Sequence, residues 1–305
     1  MTLTAVAYYA GIPPHNNNPE KPLILDNFLA GVKAAGDNAI DHRQLSTIPH
    51  ADVALIQGFV HEHGKNAPHL VLRKNAVEQQ QQPGKRSLIV DSNLFLAYDQ
   101  GNTNSYLRYS YDGVFPTTGF YFDTDVDPTR WQKISSRLNI QMKPWRTEGN
   151  HILVCLQRNG GWSMRGYNSV QWANDTIATI RNITDRPILV RGHPGDKKTR
   201  YFPQHKDVFV SNSPSILQDL KNAWATVLYN SSPSVISAIE GVPVFLTDPS
   251  PEHSQSHEVA NTKIKRLNDP KLFDRQEWIE KLAMCHWNFQ ELASGEAWKH
   301  FRRYI

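Results

Sequence analysis

Three loops hold the residues of this 305-residue chain that are best suited to binding an anion. The first, residues 157–166, follows an apolar run and reads QRNGGWSMRG. Its glycines let backbone N–H groups approach a phosphate, and its arginines add charged donors. Because it lacks the spacing of a dinucleotide-binding or P-loop motif, taken alone it is an ordinary Gly-rich turn. The candidate ligands in it are Gln157, Arg158, Gly160, Gly161 and Arg165.

The second loop, residues 191–198, reads RGHPGDKK and also follows a short apolar run. His193 and Lys197 can donate hydrogen bonds to oxyanions, while a Pro-Gly pair makes a sharp turn with no side chain in the way. A lone histidine is usually a packing residue, but one between Gly and Pro-Gly is less easily explained in that way. The candidate ligands here are Arg191, His193, Gly195 and Lys197.

The third loop begins at Tyr229 and reads YNSSPSVISAIEGVPVF. We expect Ser231 or Ser232 to cap a helix with Pro233 in its first turn, so that free N–H groups form a seat for an anion. Glu240, near the end of that helix, is expected to hold a ribose diol. An ordinary capped helix is the alternative. The candidate ligands are Asn230, Ser231, Ser232, Ser234 and Glu240.

Short apolar runs that alternate with helical patterns predict the elements that position these loops. Such runs lie at 5–9, 51–56 and 87–91 in the first half, and the pattern restarts at 151–156. This alternation predicts an α/β fold with parallel, helix-covered sheets, whose ligands bind beyond the carboxyl ends of the strands. The predicted domains are residues 1–149 and residues 150–273, followed by a C-terminal helical stretch, residues 274–305, that returns to the first domain. The aromatic residues of this C-terminal stretch are expected to belong to the hydrophobic core.

Basic residues are unevenly distributed along the chain. Between Pro128 and Phe202 there are thirteen Lys and Arg residues against four Asp and Glu residues. Such an excess suits the diphosphate of a small ligand or a nucleic-acid backbone. The alternative is a solvated basic face.

The remaining composition excludes several classes of protein. Cys155 lies in an apparent strand and Cys285 in an apparent helix, so neither belongs to a predicted disulfide or zinc framework. The first residues form no basic, apolar leader, and no later run is long enough to span a bilayer, so we expect a cytoplasmic protein without membrane insertion. The sequence leaves its oligomeric state open.

Together the second and third loops resemble the donor domain of GT-B glycosyltransferases, which have two facing Rossmann-like domains. The resemblance covers residues 151–247 and is nearest to capsule-type and bacteriophage-encoded members. It implies transfer of a sugar from a UDP-sugar, with Ser231, Ser232 and Glu240 serving the diphosphate and ribose, and with the C-terminal helices packing across the domain interface. It implies no obligatory metal. Asp123-Thr124-Asp125 resembles the metal-binding DxD of another glycosyltransferase architecture, but it is better explained as the turn before a helix.

The resemblance also implies that the first domain supplies a catalytic base. The candidates are Asp91, Asp112 and His15, each in a loop that follows an apolar run. Asp91 is favoured, because desolvation at the end of a buried strand would raise its pKa. Asp112 is alternatively a turn residue before Gly113, and His15 a loop histidine.

The acceptor is expected to be a hydroxymethylated base in DNA, and hydroxymethylcytosine is the best single candidate. The transferred sugar is expected to be a hexose such as glucose. A duplex acceptor requires base extrusion, for which Trp145, Trp162 or Tyr109 could stack or wedge. A growing surface polysaccharide or lipid-linked glycan is the alternative acceptor, although no basic amphipathic helix accompanies it. A non-catalytic nucleic-acid-binding module is the alternative of another class.

Overall fold

The structure is a computed structural model, and it describes residues 1–10, 20–58 and 67–305. Within these ranges lie eleven strands and nine α-helices. The strands are β1 Thr4–Tyr8, β2 Asn38–His42, β3 Val53–Gln57, β4 Arg86–Asp91, β5 Tyr106–Tyr111, β6 His151–Cys155, β7 Ile188–Arg191, β8 Val208–Val210, β9 Ala223–Leu228, β10 Val244–Leu246 and β11 His286–Asn288. The helices are α1 Glu20–Ala34, α2 Pro68–Gln79, α3 Pro128–Leu138, α4 Ser169–Arg181, α5 Ile216–Asp219, α6 Pro233–Ile239, α7 Gln276–Met284, α8 Phe289–Ala293 and α9 Glu296–Phe301.

The chain divides into two compact units. Unit 1 comprises Met1–Trp131 and Glu280–Ile305, and unit 2 comprises Gln132–Ile279. The divisions fall inside α3 and α7, whereas the sequence pattern put boundaries at 149/150 and 273/274. Unit 1 is therefore built from two separate parts of the chain.

Unit 1 contains a six-stranded sheet in the order β11-β5-β4-β3-β1-β2. Strands β1 to β4 run parallel to one another, while β5 and β11 run antiparallel to their neighbours. The central strands are buried along nearly their whole length, because helices cover both faces of such a sheet. Strand β5 lies in the stretch 99–122, which is rich in Tyr, Asn and Gly and has no clear periodicity.

The C-terminal residues are an integral part of unit 1. Strand β11 completes the sheet, and Arg130 forms a buried two-pronged ion pair with Glu291 at 2.7 and 2.8 Å. The indole of Trp298 donates to Asp37 at 2.6 Å. The expectation that the terminal aromatic residues are core is confirmed: the buried ones are Trp278, Trp287, Phe289, Trp298 and Phe301.

Unit 2 contains a five-stranded, entirely parallel sheet in the order β10-β9-β6-β7-β8. Its core includes Ile152, Val154 and Val227 from the sheet and Trp172 and Ile177 from α4. The predicted α/β class with parallel sheets is confirmed. The carboxyl ends of β6, β7, β9 and β10 therefore lie along one edge of this sheet.

None of the helices within the described ranges is both long enough and apolar enough to cross a membrane.

Candidate functional site

The loops that follow β6 and β9 are held together by Gln157. This side chain is buried, and its Oε1 accepts a hydrogen bond from the backbone N–H of Asn230 at 2.9 Å. Its Nε2 donates to the hydroxyl of Ser163 at 2.9 Å. Asn230 Nδ2 in turn reaches the Ser163 carbonyl at 3.3 Å. A glutamine amide that bonds on both sides fixes the spacing of the two loops.

The loop after β10 joins the same network through Asp248, whose side chain is fully buried. Its Oδ2 accepts from Asn230 Nδ2 at 2.6 Å and from Arg165 Nη2 at 3.3 Å, and its Oδ1 accepts from the Ser250 N–H at 2.9 Å. Arg165 also donates to the Ser250 hydroxyl at 3.1 Å and contacts His253. Sequence reasoning missed Asp248, although an acid directly after a predicted strand was the signal for it.

Asp196 connects the loop after β7 to the loop after β6. Its carboxylate accepts from the Thr199 hydroxyl at 2.7 Å and from the Asn159 N–H at 2.9 Å. These hydrogen bonds, of which the one from Thr199 is the strongest influence, hold the pKa of Asp196 well below its usual range. Loops 157–166, 191–198 and the start of the third loop therefore come together at one edge, as expected.

His193 is held in a defined tautomer. The Gly195 N–H donates to His193 Nδ1 at 3.0 Å, which leaves the proton of the neutral ring on Nε2. Burial, and then the nearby charge of Arg158, lower the pKa of His193. At neutral pH the ring is consequently an uncharged donor. Arg158 and Lys197 are exposed on the same loops and supply positive charge.

The serines at the start of α6 do not cap the helix through their side chains, in contrast to the expectation. Ser232 is the N-cap, but its side chain makes no capping bond, and the N–H groups of Ser234 and Val235 donate to the carbonyls of Ser231 and Ser232. The predicted seat of free N–H groups is thus not present at those positions. Instead the hydroxyl oxygens of Ser231 and Ser234 are buried without a hydrogen-bond partner among the described residues. Buried hydroxyls without partners are costly, and that of Ser234 is enclosed within the protein.

Arg191 does not join this group. Its guanidinium forms an ion pair with buried Asp219 and donates to the Ser213 carbonyl at 3.0 Å. Arg191 is therefore already paired in the protein alone, where it fixes the end of β7 to the segment before α5, and its part in ligand binding stays a prediction.

Glu240 is also displaced from the expected site. It is the residue after the last turn of α6, about 12 Å from Ser232 by helical rise, and it forms an ion pair with Lys143. Gly241 follows with a φ of +73°, and a Cβ there would lie 2.0 Å from the Pro144 carbonyl oxygen. The end of α6 is thus packed against residues 143–144, and Glu240 is already paired in the protein alone.

In unit 1, Asp91 lies at the carboxyl end of β4. Its Oδ2 accepts from Arg108 Nη2 at 2.6 Å; Arg108 is buried, whereas the Asp91 side chain is 34% exposed. The expected desolvation of Asp91 is therefore not observed. A carboxylate held by one buried cation and open to solvent on its other side is well defined in position.

Asp112 lies at the opposite end of β4, roughly 15 Å from Asp91, because β5 is antiparallel to β4. It has a φ of +64°, accepts from the Ser87 N–H at 2.9 Å and pairs with Arg86. These are the features of a turn residue, the alternative that the sequence left open. His15 lies outside the described residues.

Two of the three residues expected to stack on an extruded base, Tyr109 and Trp145, are engaged within the protein. Tyr109 is fully buried. The indole of Trp145 donates to the Phe273 carbonyl at 2.7 Å, and the Arg275 guanidinium lies 4.0 Å above its ring. The side chain of Trp162 lies outside the described part of the structure. Asp125 pairs with Arg303.

Solved structures with the same arrangement of elements include two from Thermosulfurimonas dismutans. The first is KpsC, beta Kdo 2,4 transferase, with a TM-score of 0.59 and 11% identity over 96% of this chain and 98% of that chain. The fold is the GT-B fold. A second GT-B structure, KpsC, beta Kdo 2,7 transferase, is similar at a TM-score of 0.54 and 11% identity, with the same coverage of both chains. No protein-family profile matches the sequence, and no curated protein does.

Proposed function

We propose that this protein is a glycosyltransferase that moves a sugar from a nucleotide-sugar donor, a UDP-sugar, to a hydroxyl acceptor. The observation that carries the proposal is the network of Gln157, Asn230 and Asp248, which joins three strand ends of one parallel sheet in the GT-B fold. Ligands of such sheets bind outside the carboxyl ends of the strands. The groups at this edge suit a phosphorylated ligand, as follows.

Donor binding is assigned to groups that differ in chemistry. Arg158 and Lys197 are exposed cations that neutralise phosphate charge. Neutral His193 presents its Nε2–H as a donor without adding charge. Ser231 and Ser232, which are partly exposed at the start of α6, offer further polar groups at this edge. The loop glycines Gly160 and Gly161 leave room for close approach of a phosphate.

Asp91 is proposed as the catalytic base of an inverting displacement. Arg108 fixes one carboxylate oxygen, while the other makes no hydrogen bond with a described residue. That second oxygen takes the proton of the acceptor hydroxyl as the acceptor oxygen bonds to the anomeric carbon and the nucleotide leaves with the electrons of the broken bond.

The acceptor has two candidates. A glycan is favoured, because the two similar structures are named as transferases of Kdo and because Tyr109 and Trp145 are occupied within the protein. Hydroxymethylcytosine in DNA is the second candidate, and the excess of basic residues between 128 and 202 supports it. The transferred sugar is a hexose such as glucose or, by the same likeness, Kdo.

Calorimetry with UDP, CMP, GDP and ADP tests the donor site. We expect one nucleotide to bind and the paired variant Arg158→Ala/Lys197→Ala to weaken that binding by about tenfold or more, since two phosphate contacts are lost. Lys221→Ala, which removes an exposed cation elsewhere in unit 2, is the matched control. Binding of DNA without binding of any nucleotide would instead indicate the non-catalytic module.

Release of free nucleotide from a donor panel then identifies the acceptor. Hydroxymethylated duplex DNA and a panel of oligosaccharides are offered in parallel. Turnover with saccharide alone favours the glycan, and turnover with DNA favours the modified base. A protein that binds a nucleotide yet transfers to neither acceptor class and hydrolyses no donor would contradict the transferase proposal.

A further inference from the structure

Residues 197–210, which lead from the loop after β7 into β8, expose large apolar side chains. Phe202 is 71% exposed, Phe209 55% and Val210 39%. Among the phenylalanines that the structure describes, Phe202 and Phe209 are the two exposed ones. Scattered exposed apolar residues need no explanation, but two exposed phenylalanines within one short segment favour contact with a partner.

The segment is anchored, so its phenylalanines are not exposed through loose packing. Tyr201, directly before Phe202, is buried in the core of unit 2. Arg181 on α4 donates to the carbonyls of Asp207 at 3.0 Å and Lys206 at 3.4 Å. Val208, directly before Phe209, is buried as well. Each of the two phenylalanines therefore directly follows a residue that is buried in unit 2.

The same segment is basic. It contains four cationic residues and one acid, Asp207, and all four cations are exposed: Lys197, Lys198, Arg200 and Lys206. Exposed aromatic rings next to Lys and Arg are typical of surfaces that bind at the interface of an anionic bilayer. There the rings enter the boundary between headgroups and acyl chains, while the cations pair with lipid phosphates.

Two other occupants fit less well. A second copy of the chain could pair with the open edge of β8, but that strand has three residues and follows Lys206, and short strands next to lysine disfavour edge pairing. A nucleic acid could stack a base on Phe202, but Val210 offers no stacking face. Apolar and cationic groups together therefore favour lipid.

We propose that residues 197–210 dock the protein on an anionic membrane surface, with Phe202 and Phe209 entering the headgroup region. The partner is a bilayer rich in lipids with anionic phosphate headgroups. This inference goes beyond the transferase proposal and does not depend on it, because docking is measured without donor or acceptor.

Flotation of the full chain with vesicles tests the proposal. We expect binding to phosphatidylglycerol/phosphatidylcholine vesicles, little binding to phosphatidylcholine alone, and loss of binding at about 0.5 M NaCl. Phe202→Ser/Phe209→Ser is expected to lower partitioning by about tenfold or more. Leu45→Ser/Leu272→Ser, which removes two apolar side chains exposed elsewhere, is the matched control and should bind as the parent does.

Three results would overturn the proposal: no binding to anionic vesicles, equal binding to both vesicle types, or equal binding by the parent and the Phe202→Ser/Phe209→Ser variant. Fluorescence anisotropy with single-stranded DNA and sedimentation of the same variants identify the rival partners. If the Phe202→Ser/Phe209→Ser variant changes the affinity for DNA or the self-association of the protein but not its flotation, the segment binds a nucleic acid or a second copy of the chain, and the membrane proposal is wrong. Nucleotide affinity should be equal in parent and pair variant, so failure of docking leaves the transferase proposal untouched.

Discussion

At the scale of single residues, Asp248 does most to assemble the candidate site. Its buried carboxylate bonds to Asn230 after β9 and to Arg165 after β6, and so it links three strand ends. Hydrogen bonds between a carboxylate and a guanidinium are stronger than neutral ones, particularly away from water. Loss of this charge should therefore loosen the site without removing any group that touches the donor.

The variant Asp248→Asn should bind the donor nucleotide about tenfold more weakly or worse, since a hydrogen bond to a charged partner contributes roughly 1.5–3 kcal/mol. Calorimetry with the nucleotide that the parent binds measures the change. Asp269→Asn is the matched control, because Asp269 is exposed and pairs only with neighbouring Arg266. Parent-like affinity in a folded Asp248→Asn protein would show that this network does not position the donor loops.

The variant Asp91→Asn should slow transfer by about 10²–10⁴ while nucleotide affinity stays unchanged, because an amide cannot take the acceptor proton. Initial rates and calorimetry on the same preparation separate the two effects. Asp112→Asn serves as the control, since Asp112 lies in a turn at the other end of β4. If Asp112→Asn lost transfer and Asp91→Asn kept it, the assignment of the base would be reversed.

At the scale of elements, helix α9 contributes a histidine to an aromatic cluster. The His300 ring packs against Phe122, Trp287 and Tyr304 with centroids 5.1 to 5.5 Å apart. Burial first, and then the charge of Arg303, lower the pKa of His300 to about 4. An unfolded histidine titrates near 6.5, so the unfolded state binds the proton first as the pH falls. The stabilisation is complete above about pH 6.5 and is lost progressively toward pH 4.

Replacing this histidine by His300→Phe should therefore make the free energy of unfolding less dependent on pH in that window. The slope contributed by one such histidine is at most about 1.4 kcal/mol per pH unit. Denaturant unfolding at several pH values from 7 to 4 measures it. Aromatic packing is kept, so stability at pH 7 should change by less than about 1.5 kcal/mol. Parallel plots of the free energy of unfolding against pH for parent and variant would refute the role of His300. Burial lowers the pKa of His286 to about 3, so His286 should contribute to the pH dependence of both proteins.

At the scale of the whole molecule, the two units differ in how the chain forms them. Unit 2 is continuous, whereas unit 1 needs the residues after 280 to complete its sheet. If those residues were removed, Arg130 would lose its buried partner Glu291, and Asp37 would lose the hydrogen bond that Trp298 donates. An uncompensated buried charge is strongly destabilising. The fold thus makes the stability of unit 1 depend on the last element of the chain.

Truncation after Met284 should unfold unit 1 and leave unit 2 folded. Hydrogen exchange followed by mass spectrometry should show loss of protection in β1, β3 and β4 and retained protection in β6 and β9. Nucleotide binding should persist, because the proposed donor groups belong to unit 2. Loss of protection from hydrogen exchange in both units would contradict the independent stability of unit 2. Loss of nucleotide binding with unit 2 still folded would contradict the assignment of the donor groups to unit 2.

Sequence alone determined the alternation of strands and helices, the parallel sheet of unit 2 and the loops that meet at its edge, because these depend on local apolar patterns and on the direction of neighbouring strands. Only the tertiary structure decided which side chains face that edge. Arg191 turns to Asp219, Glu240 lies a full helix away from Ser232, and Asp112 falls at the other end of β4 because β5 is antiparallel. The tertiary structure likewise showed that Asp248 holds the loop after β9 through its hydrogen bond with Asn230. The physical reason is that a side chain's partners depend on strand order and helix direction, which join residues tens of positions apart, whereas a sequence pattern reports only its own neighbourhood.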